Sequence, residues 1–166
     1  MTGSTKVSVA VLLAWLFLLV SRSAGAENMK QQFDEIAEAA QQKSGLDQIR
    51  EINLSINTLL TTTHFFLKSP EANDWRSVDY ILDSKYRDDC KDFVVLKEEL
   101  LQRVGIKSER MPVMLRSTGE LHVVLKIHYR EREIILDNLR NVMVTMQDLS
   151  HAYELYNGIP LGQNSN

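Results

Sequence analysis

The chain has 166 residues, one cysteine, four histidines and a net charge of −3, with 22 acidic residues against 19 basic ones. This mildly acidic balance, without a basic patch or a glycine-rich phosphate cradle, argues against nucleic acids and nucleotides as ligands. One cysteine excludes an internal disulfide, and the roughly 140 residues beyond the leader are enough to bury a core without such a staple.

The leader comes first. Lys6 precedes a nearly unbroken apolar run, Val7 to Val20, and Ser21-Arg22-Ser23-Ala24-Gly25-Ala26 closes it with small residues. This is the pattern of an export signal, predicting residues 1–26 as a signal peptide cut after Ala24-x-Ala26 and a periplasmic mature chain. The apolar run is about 14 residues, short for a membrane-spanning helix of about 20. An uncleaved inner-membrane anchor is the competing reading. Taking Lys6 and Arg22 from the 19 bases leaves 17 against 22 acids, a mature charge of −5.

Residues 27–45 read as a loosely attached N-terminal arm, because Met29, Phe33, Ile36, Ala37 and Ala40 make only a thin helical stripe before Gly45. From Leu46 to Thr62, Leu46, Ile49, Ile52, Ile56, Leu59 and Leu60 recur at helical spacing with Asn53 among them, and Asn57 falls on the polar face. Phe65, Phe66 and Leu67 form an apolar cluster beside His64. Glu71–Asp83 reads as a short helix or ordered loop, and Ser84–Asp89 as a polar linker. Lys91–Gly105 is predicted as a helix with Gly105 as its C-terminal cap.

Beyond Gly105 the period changes to two. Met111–Leu115 is a short strand, Ser117–Glu120 a turn, and Leu121–Tyr129 a half-buried strand. Glu133–Leu139 is the next strand, and Val142–Val144 the start of another. Met146–Tyr156 reads as a helix, and 162–166 as a disordered tail. Helices first and then a small antiparallel sheet give an α+β fold, with one domain over 46–161.

In an exported protein the lone Cys90 is either inert packing or a thiol kept for chemistry. It stands at the start of the 91–105 helix, where backbone N–H groups favour a thiolate. Asp88, Asp89 and Asp92 push the other way. Cysteine chemistry there needs an imidazole partner. His122 begins a strand after a turn, whereas His128, on the same face, lies roughly 20 Å along it. His64 and His151 have weaker contexts. Asp137, ending Ile134-Ile135-Leu136, falls roughly opposite His122 if the strands form a hairpin, so it can orient the ring.

With those residues in view, Asp89-Cys90-Lys91-Asp92-Phe93, His122-Val123-Val124-Leu125 and Leu136-Asp137-Asn138-Leu139 together resemble the bacterial transglutaminase-like cysteine proteinases, best known from the LapG-type periplasmic proteases. Trp75, Asp79-Tyr80 and Tyr156-Asn157-Gly158 add to the likeness, which spans about Leu46 to Leu161. The resemblance implies a papain-like or transglutaminase-like core with Cys90 as nucleophile, His122 as general base and acid, and Asp137 as orienting carboxylate. It implies an endopeptidase acting on a large surface adhesin near its N-terminus to control biofilm attachment, with the periplasmic domain of a cyclic di-GMP receptor as a partner. No cofactor is needed for the chemistry. In the family, acidic residues on both sides of the cysteine bind calcium; this implies Asp89 as a calcium ligand, but Lys91 follows the cysteine and cannot ligate a hard cation. A different acyl transfer on the same triad, or a non-catalytic binding module, are the competing functions.

Overall fold

The computed structural model describes residues 28–62, 75–83 and 89–156. The leader at 1–26, His64 with its apolar cluster, Asp88 and the tail at 162–166 lie outside them.

The first helix, α1, covers 28–41. It is part of the core and not a loose arm: Met29, Phe33, Ala37 and Ala40 are all buried. The stripe is thin in the sequence because two of its members are alanines, and small side chains let helices approach closely. Arg103 covers the outer side of Phe33, its guanidinium 5.1 Å from the ring. Gly45 then adopts a positive φ of 61°, and a Cβ there would meet the Tyr129 hydroxyl at 2.6 Å, so both backbone and space favour glycine.

Helix α2, Gly45–Thr62, buries Ile49, Ile52, Ile56, Leu59 and Leu60. Helix α3, Val78–Asp83, adds Ile81 and Leu82. Helix α4, Cys90–Arg103, is central, with Phe93, Val94, Leu96, Leu100 and Leu101 all buried. Its end is a Schellman motif: the Gly105 N–H bonds the Gln102 carbonyl at 3.0 Å and the Ile106 N–H that of Leu101 at 2.8 Å, with Gly105 at φ 76°.

Strands β1 (Ser108–Leu115), β2 (Leu121–Tyr129), β3 (Arg132–Leu136) and β4 (Tyr153–Leu155) form an antiparallel sheet in the order β3-β2-β1-β4. Val123, Leu125, Ile127, Ile134 and Leu136 face the helices. The opposite face carries Met111, Val113, Val124 and Ile135 and is covered by Leu149 and Tyr153. So β2 is buried on both sides along most of its length, not half-buried as its alternation suggests.

The predicted helix at Met146–Tyr156 is a second correction. Only Met146–Leu149 is helical (α5), opened by a Thr145–Asp148 capping box. The chain then turns, and β4 pairs with β1 through Val113↔Leu155, Met114↔Glu154 and Leu115↔Tyr153. The four-residue step from Leu149 to Tyr153 imitates a helix, but the unpaired edge of β1 takes the segment as a strand. The third predicted strand is also shorter: β3 ends at Leu136, and Val142–Val144 contributes a single bridge, Ile135↔Val144.

Candidate active site

Cys90 is a half-buried free thiol at the first residue of α4. Asp89 caps the helix, its Oδ1 accepting the Lys91 N–H at 2.9 Å and the Cys90 thiol at 3.2 Å. Asp89 Oδ2 lies 2.7 Å from the Lys91 ammonium. Burial, then the Asp89 charge, push the Cys90 thiol up to about 12, against the lowering effect of the Val123 N–H and of Lys91. The helix N-terminus therefore does not make a resting thiolate. Asp92 has no part in this rise, because a buried bidentate bond from Arg76 neutralises it, with Nε to Oδ1 at 3.0 Å.

The approach of the Val123 N–H to the sulfur follows from sheet geometry. Val123 pairs with Pro112, which has no N–H and whose carbonyl accepts from the Tyr156 N–H on the β4 side. The pair is thus a non-hydrogen-bonded one, and Val123 turns its own N–H toward the opposite edge of β2. There β3 has already ended, its last pair being Leu125↔Leu136. The sulfur takes the place of the missing strand, one residue from His122.

His122 is 5 % exposed, and its Nε2 lies 2.9 Å from Asp137 Oδ1. Continuing the β2–β3 register would set Asp137 opposite Val124, so His122 and Asp137 are diagonal neighbours on one face. Asp137 is 1 % exposed. Its Oδ1 also accepts the Leu139 N–H at 3.0 Å, and its Oδ2 accepts the Tyr153 hydroxyl. Burial would raise this carboxyl, but the bonds from His122, Tyr153 and Leu139 overcome it and hold the group below the usual carboxylate range. The same bond, with burial as the larger cause, lifts the Tyr153 phenol to about 12.

The structure thus joins His122 to Asp137 directly and ties Cys90 to the residue after His122. His128 is exposed beside Glu133 at 3.7 Å, and His151 is exposed in the turn before β4. Sequence reasoning missed Tyr153, concealed by the helical reading of its segment, and Arg76. It also placed Asn57 on a solvent face, whereas Asn57 is buried and donates to the Asp137 carbonyl at 2.9 Å. Lys97 is buried as well, and its position between Phe93 and Leu101 on the apolar face of α4 was a readable signal.

Two of the carboxylates near the sulfur are already committed. Asp89 is engaged by Lys91 and Asp92 by Arg76, so both carboxylates already have cationic partners within the chain. Among the described residues no cluster of three His, Cys, Asp or Glu side chains could hold a metal.

A thiol at a helix tip packed on an antiparallel sheet, with a strand histidine bonded to a buried carboxylate beside it, defines the class of papain-like and transglutaminase-like α+β folds. The profile of one such family, the bacterial transglutaminase-like cysteine proteinases, matches residues 22–157, and the chain belongs to it. It is a cysteine peptidase of the transglutaminase-like type. Among solved structures it is similar to Legionella pneumophila LapG at 18% identity. The calcium-bound form gives a TM-score of 0.48 over 79% of this chain and 91% of that one. The EGTA-treated form gives 0.48 over 72% and 77%. Comparison with curated protein sequences gives no match.

Proposed function

We propose that this chain is an exported endopeptidase in which Cys90 attacks, His122 transfers the proton and Asp137 orients the ring. The 2.9 Å contact between His122 Nε2 and Asp137 Oδ1 carries the reading. It assigns the ring proton to Nε2 and leaves the Nδ1 lone pair for the thiol proton. Sulfur bonds to the peptide carbonyl carbon as its proton passes to Nδ1, and the ionised Asp137 stabilises the imidazolium. The imidazolium then protonates the departing amine, leaving an acyl-enzyme. Water, deprotonated by the same imidazole, adds to the thioester and releases the acid and the thiol. The Cys90 N–H, in the first helical turn, is the candidate donor to the oxyanion.

Family membership supports a periplasmic location, a large surface adhesin cut near its N-terminus as substrate, release from biofilm as outcome, and the periplasmic domain of a cyclic di-GMP receptor as partner. The paired states of Asp89 and Asp92 support catalysis without calcium. In cells co-expressing the adhesin, wild type should release an N-terminal fragment and Cys90→Ala, folded by circular dichroism, should release none. Cleavage by Cys90→Ala would end the assignment. Incorporation of an amine in place of hydrolysis would mark a transferase. Activity abolished by EGTA and restored by calcium would refute calcium independence.

A further inference from the structure

Lys97 is 1 % exposed, one of the largest fully buried side chains of the protein. Burying an ammonium is costly unless it is bonded. Its bond runs to Asn53 Oδ1 at 2.7 Å, with the Phe93 ring 6.0 Å away. Asn53 in turn donates to the Arg140 carbonyl at 3.1 Å. Asn57, one turn along α2, reaches the carbonyls of Asp137 at 2.9 Å and Arg140 at 3.1 Å, and Asn141 Oδ1 at 3.1 Å. The loop leaving β3 therefore has its carbonyls held from below by two buried amides. It is also tied to Tyr153, whose hydroxyl donates to the Asp137 carboxylate.

We propose that Lys97 is a positioning residue: through Asn53, and beside Asn57, it fixes the Asp137–Asn141 loop so that the Asp137 carboxylate stays aimed at His122 Nε2. This rests on reading Asp137 as the orienting carboxylate of a peptidase. A loop is otherwise the least constrained place to hang such a group, and a shift of about 1 Å can cost about a hundredfold in rate. The network replaces the support that β3 would have given had it continued past Leu136. Asp137 is also the acid whose charge reaches Lys97: burial brings the ammonium down to about 7, against the pull of that carboxylate.

The test uses Lys97→Met, which keeps the stem and donates nothing, and Lys97→Gln, which keeps a donor for Asn53 without the charge. The first readout is the low-field proton resonance of the His122 Nε2–H, which needs no substrate. The second is kcat and KM on a peptide that wild type cleaves. Lys97→Met should lose about tenfold in kcat at unchanged KM and lose or shift the resonance, and Lys97→Gln should retain most of both. Wild-type kcat and resonance in Lys97→Met, whatever its melting temperature, would reduce Lys97 to a core residue and overturn the proposal. If Lys97→Met does not fold, Asn53→Ser takes its place with the same expected loss and the same refuting outcome. Absence of the resonance in wild type would refute the His122–Asp137 pair itself. A resonance lost in Lys97→Met in a protein that cleaves nothing would uphold the positioning while ending the peptidase reading.

Discussion

The two halves of the site are built to different standards. At the sheet edge, both oxygens of the Asp137 carboxylate are bonded, the group is ionised by its surroundings, and the imidazole has one nitrogen committed. At the tip of α4, the sulfur sits between an acceptor that keeps it protonated, Asp89, and a donor that would stabilise its anion, Val123. The His122–Asp137 pair is held in place, whereas the surroundings of Cys90 favour its thiol form. In the proposed reaction the cost of ionising sulfur then falls at the moment of proton transfer to His122.

The largest effect that would break this comparison comes from the preorganised half. Asp137→Asn should lower kcat by between about a hundred- and ten-thousandfold, because the amide no longer fixes the tautomer or balances the imidazolium. A loss below about tenfold, in a variant folded by near-ultraviolet circular dichroism, would show that His122 works unaided.

A smaller change sharpens the other half. Asn is as good a cap as Asp, so Asp89→Asn should leave α4 intact while removing the charge that raises the thiol. Because the thiol pKa then falls, the iodoacetamide alkylation rate at pH 8 should rise severalfold, and its pH profile should move to lower pH. An unchanged profile would mean that burial alone sets the thiol. Slow labelling of wild type is accordingly no sign of an inert cysteine here.

The smallest expected effect tests whether the helix carrying Cys90 is anchored at its far end. Gly105→Ala meets no neighbouring atom, so its cost is the left-handed backbone alone, about 1 kcal/mol or roughly 2–4 °C in Tm. Catalysis should not move; a large loss in kcat would tie the helix end to the site.

Much of this was legible because it is local. The apolar face of α4, the period-two run through His122 and the break at Asp137 are each written in a dozen residues or fewer. Asn57 was misread because α2 periodicity puts it beside the polar face, and only the loop after β3, 80 residues away, supplies its acceptors. Tyr153 was hidden by a four-residue step that fits a helix until β1 offers an edge. The first helix was undervalued because alanines count for little in a stripe and for much in close packing. The acidic residues around Cys90 could be read, but their balance depends on Arg76, whose approach no spacing rule predicts.

Pro112 has a consequence for the extent of β4. It interrupts β1 at a strand flanked on both sides, yet costs no ladder bond toward β2, because its pair with Val123 needs none. Its ring nitrogen points, like its carbonyl, toward β4, so β1 offers that strand no N–H past the Val113↔Leu155 pair. The missing donor therefore falls on the short edge strand, and the ladder that carries His122 loses nothing to it.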